Sequence, residues 1–258
     1  MSRIDPTARV APDAVIGEEV EIGAYAAIES GVSIGAGTHV GPYCLIQGPT
    51  SIGPGCVLTG YASIGTPPQD HSYQGEETRL EIGANNTIRE FVTINRGTLK
   101  DRGVTTVGSH NLIMAYCHVG HDCTVGSHIV MGNGATLAGH VEIHDNAIIG
   151  GLTAVHQFTR VGSRAIVGGG SMVSLDIIPY AKASGDRAKL FGVNTIGLRR
   201  AGFATEQIKT VEKAYRVLLK SKLLLKDALE ALEREFHGDE TVGVLVDFLK
   251  TSKRGIAR

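Results

Sequence analysis

Reading every sixth residue from Ile4 gives Ile4, Val10, Ile16, Ile22, Ile28, Ile34, Val40, Ile46, Ile52, Leu58 and Ile64, all aliphatic. The phase returns at Ile82, Ile88 and Ile94. It resumes one residue out of step at Val107 and then holds every six residues to Val173. A helix cannot carry such a pattern, because at 3.6 residues per turn a period of six does not stay on one face. Antiparallel hairpins would show two-residue alternation between turn clusters. A triangular parallel β-helix fits the period: each hexad lays down one flat side with its aliphatic residue pointing inward, three hexads close a coil of eighteen, and coils stack at about 4.8 Å. The expected fold is therefore a left-handed parallel β-helix over residues 1–181.

The fifth residue of the hexad supports this reading. Ala8, Ala14, Ala26, Cys44, Thr50, Cys56, Ala62, Cys117, Cys123, Ala135, Ala147 and Ala165 occupy it, all small enough for a narrow prism. Trp is absent and aromatics make up only 5% of the chain, so the core must be filled by aliphatic and small side chains. All four cysteines fall on the fifth position, and neither near pair shares a face, which reads as buried hydrophobes rather than a zinc site or disulfide. Two interruptions, at about 70–81 and 97–106, are expected loops, and excursions from a rigid scaffold commonly sit at binding sites.

The repeat ends near Pro179. Residues 182–258 are expected to form a helical C-terminal domain, with Thr205 as an N-cap, apolar residues at Ile208, Val211, Ala214, Tyr215 and Leu218, a second helical run in LLLKDALEALEREF, and a break at Gly238–Asp239. This part holds sixteen Lys and Arg against ten Asp and Glu, while the preceding 181 residues hold nine against sixteen. The net charge of −1 gives no global field for nucleic acid. No apolar run resembles a signal peptide or a transmembrane segment, so a cytoplasmic protein is expected.

Six of the ten histidines lie between 118 and 156, and none takes the inward aliphatic position. Any one alone would read as a solvated surface residue, but the eighteen-residue coil singles out one group. It stacks Asp122 on His140 and His121 on Gly139. A carboxylate beside an imidazole fixes its tautomer and raises its basicity. Gly139, without a side chain, leaves its backbone N–H open to an oxyanion forming near His121. Base, orienting acid and oxyanion donor are the parts of acyl transfer to a hydroxyl.

Several segments sharpen this into a resemblance: IGTPPQDHSYQGE (64–76), IREFVTINRGT (88–98), HVGHDCTVG (118–126), TLAGHVEI (136–143), GGLTAVHQF (150–158) and FGVNTIGLRRAGF (191–203). Together they resemble the UDP-N-acetylglucosamine O-acyltransferases, which begin lipid A biosynthesis, and the similarity runs over nearly the whole chain. The resemblance implies a homotrimer with sites in clefts between prisms, acyl carrier protein bearing a 3-hydroxyacyl thioester as donor, UDP-N-acetylglucosamine as acceptor, and no cofactor or metal. It makes His121 the general base, Asp122 its orienting acid and Gly139 the oxyanion donor. It places Asp70, His118, His140, His156 and Gln157 along the sugar and acyl site, Asn194 and Arg200 near the nucleotide, and Ile166 and Gly169 where acyl length is limited. The basic C-terminal part suits an acidic carrier protein.

Ser72, Asn95, Arg187, Ile196 and Ala201 depart from the family pattern, which keeps N-acylation of a 3-amino sugar nucleotide open as an alternative. The related N-acyltransferase carries an extra N-terminal domain, for which a repeat starting at Ile4 leaves no room. A coenzyme A-dependent hexapeptide acyltransferase is also open. A zinc hydrolyase is disfavoured by the three-residue spacing of His118 and His121, and a purely structural β-helix by the unexplained histidines.

Overall fold

The computed structural model describes residues 1–220 and 224–258. Part of the LLLKDALEALEREF run, at Leu223, lies outside the described residues. Short strands, most of two residues, follow one another round three faces, and as far as Met172–Val173 each pairs in parallel with a strand three places away. The result is a left-handed parallel β-helix with a first sheet of eleven strands, a second of nine and a third of eight among the described residues. Regular coils keep the eighteen-residue register, as in Arg3↔Glu21, Leu45↔Ser63 and His118↔Thr136.

The hexad aliphatics fill the axis. Leu58, Ile64, Ile88, Ile113, Val119, Met131, Leu137 and Ile149 are fully buried, each contributing about 1.5–3 kcal/mol of hydrophobic stabilisation. The first coil, at the open end of the stack, is the exception: Ile4 is 45% exposed and Val10 and Ile16 are only half-buried. The four cysteines are free and buried at the fifth position, and burial pushes the Cys117 thiol up to about 11 and Cys123 to about 12.

Corner residues take a left-handed backbone conformation although many are bulky: Tyr25, Tyr43, Tyr61, Phe91 and Tyr116 at one corner, Asp122, His140 and Phe158 at another. That conformation costs a non-glycine residue roughly 1–2 kcal/mol. Hydrogen bonds to the neighbouring coil offset it, as when Tyr43 N–H donates to Ala24 O (3.0 Å) and His140 N–H to His121 O (2.9 Å). Ring stacking adds to this at the first corner, where five successive aromatic rings lie 4.9–5.2 Å apart.

Both interruptions are excursions, but the first begins and ends about three residues earlier than the sequence suggests and the second is shorter. Arg79–Ile82 and Val104–Val107 are strands that pair with each other, so the loops occupy 67–78 and 96–103. Alternating side chains in RLEI and the β-branched run VTTV favour extended pairing over loop. The first excursion pairs Val57 with Thr87, thirty residues on instead of eighteen, and adds two hexads without changing phase. The second pairs Thr87 with Leu112, twenty-five residues on, which accounts for the one-residue phase shift.

Ala181–Ser184 adds to the first sheet and turns back antiparallel through Lys189–Val193, closing the last coil. Helices follow: α1 (Thr195–Arg200), α2 (Thr205–Lys220), α3 (Leu225–Glu235) and α4 (Glu240–Lys250). Ile208, Val211, Ala214, Tyr215 and Leu218 form the buried face of α2. Thr205 is the first helical residue rather than the cap, and Gln207 Oε1 instead accepts the Ala204 N–H at 2.9 Å, half of a capping box. Asp239 caps α4 by accepting the Val242 N–H, after Gly238 turns the chain at φ 78°. Among the described residues no helix is long and apolar enough to cross a membrane.

Asp176, fully buried, ties the C-terminal tail to the last coils. Its side chain accepts the Arg160 N–H (2.9 Å) and the Ser252 hydroxyl (2.7 Å), while its backbone bonds to Gly255 and Ala257. Burial outweighs these hydrogen bonds and raises its carboxyl above the usual range. A carboxyl raised in the folded state loses stability as pH climbs from the unfolded value through the folded one, so a neutral acceptor is the better occupant at neutral pH. Asp176→Asn is therefore expected to keep full stability at pH 7, whereas Asp176→Ala, which strands both donors, is expected to lose about 1–3 kcal/mol in chemical denaturation.

Candidate active site

Leaving the second sheet at His118–Val119, the chain turns through Gly120, His121 and Asp122 and enters the third sheet at Thr124. One coil on, the same corner is Ala138, Gly139 and His140; the next is His156, Gln157 and Phe158. The coil register thus brings the imidazoles and the carboxylate together. His121 Nδ1 lies 2.8 Å from Asp122 Oδ2, and His140 Nε2 lies 3.7 Å from the same oxygen. A carboxylate only accepts, so His121 Nδ1 carries the hydrogen and Nε2 is left as the base. The His121 and His140 rings meet edge to face at 5.1 Å, and His140 stacks on Phe158 at 4.4 Å.

Asp122 has no exposed side-chain surface. Burial alone would raise its carboxyl, but hydrogen bonds from His121 and Thr98 and the charge of His140 overcome that and hold it below the ordinary value. Thr98 supplies two of these bonds, from N–H to Oδ1 (2.8 Å) and from the hydroxyl to Oδ2 (2.6 Å). Burial, then the nearby His121, lowers His118, whose Nδ1 is 2.7 Å from the Thr93 hydroxyl.

Gly139 lies beneath the His121 ring. A Cβ there would fall 2.5 Å from His121 Cε1 and 2.7 Å from Nε2, closer than atoms approach, while its backbone conformation is open to any residue. Its N–H makes no hydrogen bond among the described residues.

Asp70, in the first excursion, joins this corner through Lys100 of the second, at 2.7 Å. Lys100 and the N–H and hydroxyl of Ser72 hold its carboxyl well below the usual carboxylate range. Asp101 Oδ2 lies 3.4 Å from His140 Nδ1. A cavity of about 720 Å³ opens here, walled by Lys100, Asp101, His140, Phe158, Arg160 and Lys253. Thr98, Lys100 and Asp101 escape sequence reasoning as individuals; the only signal is that they fall in an interruption of the repeat.

The remaining expected residues stand elsewhere on the chain. His156 and Gln157 are exposed one coil beyond Gly139, with His156 Nδ1 3.1 Å from the Gln157 carbonyl. Ile166 is on the first sheet and Gly169 at the corner that follows it, where Gly169 approaches the Gly151 carbonyl. The second sheet separates them from His121. Asn194 caps α1, its Oδ1 accepting the Gly197 N–H and its Nδ2 donating to Arg164 O, so both ends of its amide serve the fold. Arg200 is exposed at the end of that helix. Among the described residues one group could hold a cation, His121, Asp122 and His140, with donor atoms within 4.8 Å of one another. The Asp122 oxygens are already engaged by Thr98 and His121.

A left-handed β-helix of hexads with an imidazole–carboxylate pair at a corner between coils defines a hexapeptide-repeat transferase. The profile of bacterial transferase hexapeptide repeats matches residues 105–139, and that of the UDP-N-acetylglucosamine O-acyltransferase second domain matches 176–257. The acyl-[acyl-carrier-protein]–UDP-N-acetylglucosamine O-acyltransferases of Halorhodospira halophila and Myxococcus xanthus are 47% and 51% identical to the chain, each covering all of both sequences. Among solved structures, LpxA from Acinetobacter baumannii superposes with a TM-score of 0.97 at 41% identity over 99% of both chains. The UDP-N-acetylglucosamine acyltransferase of Francisella novicida does so with 0.97 at 40% identity over 99% of this chain and 94% of that one. The chain belongs to the UDP-N-acetylglucosamine O-acyltransferase family.

Because the Gly139 backbone tolerates a side chain and the nearest obstacle is a movable ring, Gly139→Ala should fold and displace His121. Thermal melting within a few degrees of wild type, with turnover reduced at least about tenfold, is the expected result.

Proposed function

We propose that the protein transfers a 3-hydroxyacyl chain from acyl carrier protein to the 3-hydroxyl of UDP-N-acetylglucosamine, the opening step of lipid A biosynthesis. The observation that carries this reading is His121, with Nδ1 tied to a buried carboxylate and Nε2 free above a side-chain-free backbone. Nε2 takes the proton from the sugar hydroxyl as its oxygen attacks the thioester carbonyl. The tetrahedral oxyanion is met by the Gly139 N–H, and Asp122 stabilises the imidazolium through Nδ1. Collapse breaks the C–S bond, and the departing thiolate takes the proton back from His121. Proton and acyl group are both accounted for by one side chain and two substrates, so the step calls for no metal or organic cofactor.

His118, His140 and Asp70 wall the same corner and suit the sugar hydroxyls, with His156 and Gln157 one coil away on the acyl side. Ile166 and Gly169, as limits on acyl length, and Asn194 and Arg200, as nucleotide contacts, lie too far round one prism to serve the same His121. Supplying them from a neighbouring copy favours a homotrimer with its sites between chains. Asn194 then acts by shaping the start of α1, leaving Arg200 as the charged contact. The positive C-terminal part, residues 182–258, suits docking of an acidic carrier protein. A carrier-protein thioester and a sugar nucleotide as substrates favour a reaction in the cytoplasm.

Purified protein given 3-hydroxyacyl carrier protein and UDP-N-acetylglucosamine should yield the monoacylated sugar nucleotide by mass spectrometry. His121→Ala should reduce its formation by at least about a thousandfold. Full activity in that variant would overturn the assignment of the base, and acylation only of a 3-amino sugar nucleotide would overturn that of the acceptor.

A further inference from the structure

The 96–103 excursion interrupts the repeat directly before the coil that carries His121, and three of its residues reach three different members of the candidate site. Thr98 bonds both oxygens of Asp122, Lys100 reaches Asp70 at 2.7 Å, and Asp101 faces His140 at 3.4 Å. The loop is itself a closed turn, since the Thr98 carbonyl accepts the N–H groups of Asp101 (3.3 Å) and Gly103 (3.1 Å). Thr98 is only 4% exposed, so its hydroxyl serves the interior of the site rather than solvent.

The seating of Asp122 depends on this loop. At the neighbouring coils of the same corner, the left-handed residue donates its N–H to a carbonyl of the coil before, as His140 does to His121 and Phe158 to Gly139. Asp122 instead donates to the Thr105 hydroxyl at 2.8 Å. Thr105, in the strand that follows the excursion, and Thr98, within it, thus hold the backbone and the carboxylate of Asp122 respectively. With Oδ1 fixed by the Thr98 N–H and Oδ2 by its hydroxyl, the carboxylate plane is set and Oδ2 points at His121 Nδ1.

We propose that Thr98 is a positioning residue for acyl transfer, holding the Asp122 carboxylate in the orientation that keeps the His121 ring aligned as the base. The inference rests on the acyl-transfer reading of this site. Thr98 does not touch the reacting atoms; it acts through Asp122. Its hydroxyl also lowers the basicity of a buried carboxylate faced by His121 and His140, with His118 behind the former and Asp101 behind the latter. Removing the hydroxyl therefore raises the pH at which Asp122 takes up a proton and releases its grip on His121.

The test compares wild type, Thr98→Val and Thr98→Ser in the full-length enzyme with both substrates. The valine variant keeps the shape and the N–H bond and loses the hydroxyl; the serine variant keeps the hydroxyl. Expected are a fall in kcat of about tenfold for valine with KM within about twofold, a shift of the acid limb of its pH–rate profile to higher pH, and recovery toward wild type for serine. Wild-type kcat in the valine variant, an unshifted acid limb, or equal losses in both variants would overturn the proposal. Should wild type itself make no acylated sugar nucleotide, the acyl-transfer reading fails. The role of Thr98 toward the carboxylate would then be decided by the Asp122 titration, followed by carbon-detected NMR in wild type and the valine variant: an upward shift in the latter supports it and identical titrations overturn it.

Discussion

Each coil donates its strand N–H groups to carbonyls of the next, as His118 does to Ala135 and Gly120 to Leu137, and this ladder fixes the height of every residue along the prism. Register in a sheet with one buried face is strongly specified, because slipping by one residue turns the aliphatic set outward. Here the buried hexad residues pin the slip and the ladder pins the pitch. His121 and Gly139 meet for that reason alone: they are one coil apart at the same corner. The meeting is close enough that only glycine fits beneath the ring.

The corner conformation does related work elsewhere. A left-handed residue projects its side chain along the edge of the prism, where it meets its counterpart one coil away. At one edge this gives a stack from Tyr25 to Tyr116. At the edge between the second and third sheets the same positions hold Asp122, His140 and Phe158. The geometry proposed for catalysis is thus a chemical variant of a structural ladder, with a carboxylate and an imidazole set where rings would otherwise stack. The carboxylate pays a desolvation cost there, which hydrogen bonds from His121 and Thr98 offset.

The architecture was legible because a six-residue period leaves few alternatives, and the same period assigned the cysteines to the interior and stacked Asp122 near His140. The ends of the excursions were not legible, since RLEI pairs with a strand thirty residues before it and with VTTV twenty-five residues after it, rather than at eighteen. Thr98 was invisible for a related reason. It lies outside any hexad, and its partner Asp122 is twenty-four residues on, a spacing the repeat does not predict. The cap at Ala204, one residue before Thr205, reflects how little a single hydroxyl decides when Gln207 can reach back instead. Asn194 shows the converse: its place in a motif is plain from sequence, while its use as a helix cap appears only from the hydrogen bonds of both ends of its amide.

The two excursions enlarge a coil from eighteen residues to thirty and to twenty-five, and the strands beyond each regain their pairing at once. Closing a loop of thirty rather than eighteen residues costs only about 0.5 kcal/mol of chain entropy. The prism is therefore an unusually forgiving host: a segment can be spliced in at an edge, at small thermodynamic expense, without disturbing layers above or below. Frame is restored locally, so an insertion of seven residues is as admissible as one of twelve. Such a scaffold separates the evolution of its chemistry from the evolution of its stability, and loops that brace the carboxylates and imidazoles of the candidate site can change length and sequence while the stack that holds them stays as it was.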